Sequence, residues 1–301
     1  MLTRPETAGV RLPIGVLLAA VLAGALQRWW VAAHPIGTLT SDGAVIGLMA
    51  LRLLHHGQLT AYMWGQSYGG SLEAVLTAAV FAVAGAAPSQ LVAAAAFSSG
   101  LCAIALWRAG RRIVGEPAAQ IAALAFWVWP ASFLWRSLKP GGTYMLGLAI
   151  ALCAVGALVR IRPGDDGWRR CGIAGLWCGL AFWSSPMSLE LLIPAALWCI
   201  PTLRRLGWRL LAVAAGAIAG GLPVLVFGAT HDWVNLHTPG YRADLLSGFP
   251  ARLWQFFPVE GPIAMGVRAQ GSFAWVGGHL GEVLAAAGAA ALLVRPAAGQ
   301  W

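Results

Sequence analysis

The stretch LPIGVLLAAVLAGALQRWWVAA, residues 12–33, decides the fold class. It is apolar for about the 20 residues that a helix needs to cross a bilayer core. Arg4 and Arg11 precede it, which gives the start of the chain a signal-peptide look. The run is too long for a signal h-region, however, and it ends on Trp29-Trp30, an aromatic pair of the kind that marks a membrane interface. An uncleaved first membrane helix with a cytoplasmic N-terminus is therefore expected.

The rest of the chain repeats this pattern. Apolar segments recur at 71–87, 91–107, 118–135, 143–159, 171–185, 189–203, 208–228 and 275–294. Several are rich in small residues, as at Ala93–Ala96 and at Gly216, Gly220 and Gly221, which lets helices approach closely. Sustained period-two alternation is absent, so no β-barrel is indicated. Of the 301 residues 59% are hydrophobic and only 10% charged, against about 25% charged in a soluble domain. So few charges cannot clothe a soluble surface. No hydrophilic block is long enough for a separate domain. The expected architecture is all-α: one polytopic transmembrane bundle over 1–301, with about eight or nine hydrophobic segments.

The net charge of +9 comes almost wholly from arginine, since Lys139 is the only lysine. The basic residues stand in short clusters between apolar runs, which is a topology signal rather than a nucleic-acid surface. Placing Arg108 with Arg111-Arg112, Arg160 with Arg162 and Arg169-Arg170, and Arg204-Arg205 with Arg209 in the cytoplasm sets the orientation. It puts 34–70, Arg136–Thr143 and 229–274 on the outer face of a plasma-membrane protein. Two full crossings in 71–107 would break this parity, so a non-spanning or re-entrant segment is expected in 71–90. Cys102, Cys153, Cys171, Cys178 and Cys199 lie in or beside apolar runs without metal-site spacing and read as packing residues.

Eleven acidic residues leave few candidates for chemistry. Asp165 and Asp166 belong to a Pro-Gly turn. Asp42 starts an amphipathic run, Ala44–His56, expected to lie on the outer membrane surface. Ser41-Asp42 is either that helix's cap or a functional acid. Glu73 is either an interfacial helix-start charge or a site residue. Glu190, in Ser184-Ser185-Pro186-Met187-Ser188-Leu189-Glu190, is either a bundle ion-pair residue or functional. Arg136 and Lys139 flank a Pro140-Gly141-Gly142 turn before a helix. Two cations beside free backbone N–H groups suit an anion such as phosphate, although a snorkelling interfacial pair fits as well.

At these residues a family resemblance emerges. Ser41-Asp42-Gly43-Ala44 and Tyr62-Met63-Trp64-Gly65-Gln66-Ser67-Tyr68-Gly69-Gly70-Ser71-Leu72-Glu73 resemble the first outer loop of GT-C-type membrane glycosyltransferases. More narrowly, they are similar to the protein O-mannosyltransferase and aminoarabinose-transferase-like group. Ser137–Gly142, Gly179–Pro186 and Gly220-Gly221-Leu222-Pro223 extend the likeness over about residues 12–290. The resemblance implies a sugar taken from a polyprenyl-phosphate donor and passed, at the outer face of the cell envelope, to a glycan, lipid or protein acceptor. It implies Asp42 as the catalytic acid of the first loop. Glu73, Gln66, Tyr68, Arg136 and Lys139, with Arg242 and Arg268 of the late loop, are then the substrate-binding candidates. It implies no certain cofactor, and leaves room for the divalent ion that some such enzymes use.

The chain departs from the group in three ways. Gly43 follows Asp42 where the group often has Glu, the segment 136–144 carries no acid, and the chain is short, as a short or C-terminally truncated member would be. A degenerate relative that binds lipid-linked substrate without turnover, or a small transporter or flippase, are the alternative readings.

Overall fold

The computed structural model describes residues 12–34, 39–128, 134, 136–141, 144–161, 167–236, 248–264 and 267–268. Among them the chain is mostly helical, with turns and loops between the helices and an isolated antiparallel bridge between Tyr62 and Gly70. The main helices are α1 (Ile14–Ala33), α2 (Ser41–His56), α3 (Leu72–Ala84), α4 (Pro88–Ile113), α5 (Glu116–Val128) and α6 (Met145–Leu158). They continue with α7 (Trp168–Ser184), α8 (Leu189–Arg204), α9 (Leu210–Gly220) and α10 (Leu222–Thr230). A short helix, Phe249–Gln255, follows.

Helices α4, α6 and α7 form the middle of the bundle. Helix α5 packs on α4 and against α1, the α2–α3 pair leans on α4, and α8 and α9 flank α6 and α7. Local chemistry fixes the ends. Pro88 stands in the first turn of α4, where its missing N–H costs nothing, and Arg111 and Arg112 stand in its last turn, where cations oppose the helix dipole. Gly57 closes α2 in the left-handed conformation (φ 64°), which a residue with a side chain resists. One core cluster joins Ile46, Met49 and Ala50 of α2 to Ala74, Ala78 and Phe81 of α3 and Leu91 of α4. Another gathers Leu158, Cys171, Ala174 and Cys199. Cys102, Cys171 and Cys199 are buried and form no disulfide.

The α7–α9 crossing depends on missing side chains. A Cβ on Gly175 would stand 1.9 Å from the Val213 carbonyl oxygen, and one on Gly216 2.1 Å from that of Gly172. Gly175 and Gly179 face Gly216 and Gly220 at four-residue spacing on both helices, so backbone meets backbone.

The expected eight or nine segments do not become as many spans. Among the described residues three helices are long and apolar enough to cross a membrane: Ile14–Ala33, Pro88–Ile113 and Pro186–Arg204. A fourth is reached if Gly207–Gly220 and Leu222–Thr230, bent by 60°, count as one. The reason is length between breaks. Helix α3 has 13 residues and α6 has 14, which is only about 20 Å of rise against a core of about 30 Å. The apolar run at 208–228, read as one helix, breaks at Gly221. Helix α3 is the helix within the segment 71–90 where a non-spanning or re-entrant stretch is expected. The segment 275–294 lies outside the described residues.

Candidate functional site

Helix α2 presents the first candidate. Its cap is Thr40, not Ser41 or Asp42 as expected: the Thr40 Oγ1 accepts a hydrogen bond from the Gly43 N–H at 3.2 Å. Asp42 is thereby relieved of the capping role. It stands exposed in the first turn, where the helix dipole favours a carboxylate.

The next residue sets its neighbour. Gly43 is buried, and a Cβ there would lie 2.8 Å from Pro140 Cγ and 3.2 Å from the Pro140 carbonyl oxygen. The start of α2 therefore rests directly on the segment that carries Arg136 and Lys139. That segment is clamped from below. Ser137 and Leu138 are 1% exposed and Pro140 is fully buried, the Ser137 hydroxyl donates to the Leu134 carbonyl at 2.6 Å, and the Lys139 N–H donates to the Arg136 carbonyl at 3.2 Å. Arg136 is left exposed and Lys139 half-buried. The contact leaves no room for a side chain at position 43 without a shift of Pro140. Gly43→Ala is expected to cost roughly 1–3 kcal/mol by overpacking, and Pro140→Ala in the same chain to recover most of it. Thermal melts of the two single variants and the double variant measure that coupling.

Arg136 also borders a cleft of about 320 Å³ with Tyr144, Ser185, Ser188 and Glu190 on its walls. The Arg136 guanidinium carbon lies 5.8 Å from the Tyr144 ring centre. Ser188 is buried, and its hydroxyl has no hydrogen-bond partner among the described residues. Glu190 is exposed in the first turn of α8.

The loop 57–71 is tied to the end of α7. The Gly70 N–H donates to the Ser184 carbonyl at 3.0 Å, and the Trp183 indole donates to the Ala61 carbonyl at 2.7 Å. Tyr62 is buried, accepts from the Asn235 side chain at 3.2 Å, and meets Phe227 edge to face at 4.8 Å. Burial pushes the Tyr62 phenol above its ordinary pKa, partly offset by the Asn235 bond. Within this loop Gln66 is half-buried and Tyr68 exposed. Glu73 departs from the interfacial expectation: it is 3% exposed, at the start of α3. Arg268 is also buried and donates to the Pro258 carbonyl. Arg242 lies outside the described residues.

The sequence reading overlooked Tyr62 and Trp183, which hold the loop in place, and Ser188, whose signal was its position two residues before Glu190. No group of three or more His, Cys, Asp or Glu able to hold a metal occurs among the described residues.

No family model matches the chain, and no curated protein matches it in sequence. The fold is similar to that of the oligosaccharyltransferase of Archaeoglobus fulgidus, solved in the apo form, with a TM-score of 0.51 at 15% identity. The match covers 90% of this chain but 38% of that one, so the chain spans about two fifths of that protein's length. The likeness is one of fold.

Proposed function

We propose that this membrane protein is a glycosyltransferase. In this reading it moves a sugar from a polyprenyl-phosphate donor to a hydroxyl-bearing acceptor at the outer face of the plasma membrane. The observation that carries the reading is the seating of Gly43 on Pro140. Gly43 follows Asp42 in the chain, and Pro140 follows Lys139 in a segment that also carries Arg136. A base and a cation pair at one place are the two things that such a transfer needs. The fold shared with an oligosaccharyltransferase supports the same class, and the sequence likeness points to the protein O-mannosyltransferase and aminoarabinose-transferase-like group.

The chemistry runs as one displacement. The acceptor oxygen attacks C1 of the sugar, and its proton passes to the Asp42 carboxylate. The bond from C1 to the phosphate oxygen breaks, and its electron pair leaves with polyprenyl phosphate. Lys139 and Arg136 meet the charge that grows on that oxygen. Gln66 and Tyr68, on the loop 57–71, and Glu73, at the start of α3, are assigned to substrate binding. Arg242 and Arg268 are assigned to the lipid-phosphate side. The acceptor is a glycan, a lipid or a protein.

Lys139→Met is expected to lower the turnover of labelled polyprenyl-phosphate sugar by about 10²-fold, with Lys139→Arg keeping most of it. Wild-type turnover in Lys139→Met would remove the cation from the scheme. In a cysteine-free background, Asp42→Cys and Lys139→Cys are expected to react with an impermeant thiol reagent from the outer side of sealed cells, and Arg111→Cys only after lysis. Labelling of position 42 from the cytoplasmic side alone would overturn the outer-face assignment.

A further inference from the structure

Arg28 is a buried cation inside α1, 4% exposed. Its Nε donates to the Ser99 hydroxyl at 3.2 Å, and its Nη1 donates to the carbonyls of Gly24 at 3.0 Å and Trp127 at 2.7 Å. The guanidinium carbon stands 3.7 Å from the Trp127 ring centre. Every one of these partners is neutral. They satisfy hydrogens and orient the group, but they do not cancel its charge. No carboxylate pairs with Arg28 among the described residues, and a charge removed from water without a counter-charge is costly.

Arg28 lines an otherwise apolar groove of about 520 Å³ between α1 and α4. Trp29 and Phe97 stand on its rim at 68% and 56% exposure, so the groove opens sideways. Leu138 closes one wall, directly behind the segment of Arg136 and Lys139. Arg28 precedes the Trp29-Trp30 pair and lies five residues from the end of α1, about 7 Å along the helix. That is headgroup depth by the aromatic marker.

We propose that this groove binds an anionic phospholipid, with its phosphodiester against Arg28 and an acyl chain along the apolar wall. The uncompensated guanidinium supplies the charge complement, and the lateral opening at Trp29 and Phe97 admits a bilayer lipid. The lipid backs Leu138 and so supports the segment that holds Lys139. The site is independent of whether Asp42 is a catalytic base.

The test is native mass spectrometry of the full chain in mild detergent, titrated with phosphatidylglycerol, phosphatidylcholine, polyprenyl phosphate or inorganic phosphate. One phosphatidylglycerol is expected to be retained, with about tenfold preference over phosphatidylcholine. Arg28→Gln is expected to erase that preference. Ala93→Trp, on an exposed groove position of α4, fills the groove without touching the cation and is expected to reduce retention of both lipids. It serves where Arg28→Gln does not fold. Equal retention of the two phospholipids by wild type, or unchanged binding in Ala93→Trp, would overturn the proposal. So would displacement of phosphatidylglycerol by inorganic phosphate alone, which would mark a free-anion site. Preferential retention of polyprenyl phosphate through Arg28 would overturn it too, by making the groove part of the donor site.

Discussion

Asp42→Asn is expected to reduce sugar transfer by about 10³-fold while leaving thermal stability nearly unchanged. The substitution keeps shape and polarity and removes the ability to take a proton. Its structural cost is small, because the cap of α2 is made by the Thr40 hydroxyl and Asp42 is exposed. Only the attraction between a carboxylate and the helix dipole is lost, roughly 0.3–1 kcal/mol. Thr40→Ala is expected to divide the effects the other way. It removes the hydrogen bond to the Gly43 N–H and costs about 1 kcal/mol, while the folded fraction keeps its turnover. Rates per folded molecule, measured beside melting temperatures, separate the two. An Asp42→Asn variant that melts as early as Thr40→Ala and retains its rate would make Asp42 a structural residue.

Gly216→Leu is expected to destroy the bundle. The first side-chain atom would have to occupy space 2.1 Å from the Gly172 carbonyl oxygen. The obstacle is backbone, so no rotamer of a neighbour relieves it. Gly175, Gly179 and Gly220 meet equally close backbone across the same crossing, so α9 cannot shift along α7 without a new clash. Even partial accommodation is expected to cost about 3 kcal/mol or more, a fall in Tm of roughly 6–12 °C, and aggregation on extraction. Gly15→Leu is the matched control. Nothing lies within 4 Å of a Cβ there, so its stability is expected to stay within about 0.5 kcal/mol of wild type. Equal melting of both variants would contradict the close crossing.

The helical class, α1 and the amphipathic α2 were legible because periodicity and apolar length are local properties. The number of spans was not. Hydropathy counts apolar residues, whereas crossing depends on unbroken length, and Gly85, Ser185-Pro186 and Gly221 interrupt the runs. The cap of α2 was misplaced by one or two residues because Thr40, Ser41 and Asp42 all have side chains that can cap. Asp42, Arg136 and Lys139 were legible as unusual charges, but the packing between their segments was not, since it depends on Gly43 meeting a proline almost a hundred residues later. Glu73 looked interfacial and is buried, because the fold of 57–71 over α7 rests on contacts such as Trp183 to Ala61, 122 residues apart. Arg28 was invisible inside an apolar run, and its partners Ser99 and Trp127 lie 71 and 99 residues away.

Asp42 and Lys139 are proposed to act together in moving a sugar from a lipid phosphate. The most direct measurement is the release of polyprenyl phosphate from labelled polyprenyl-phosphate sugars by purified protein in liposomes. Wild type is expected to turn over such a donor, and Asp42→Asn and Lys139→Met are each expected to suppress that turnover. Wild type without turnover on any such donor, or an Asp42→Asn variant as fast as wild type, would contradict it.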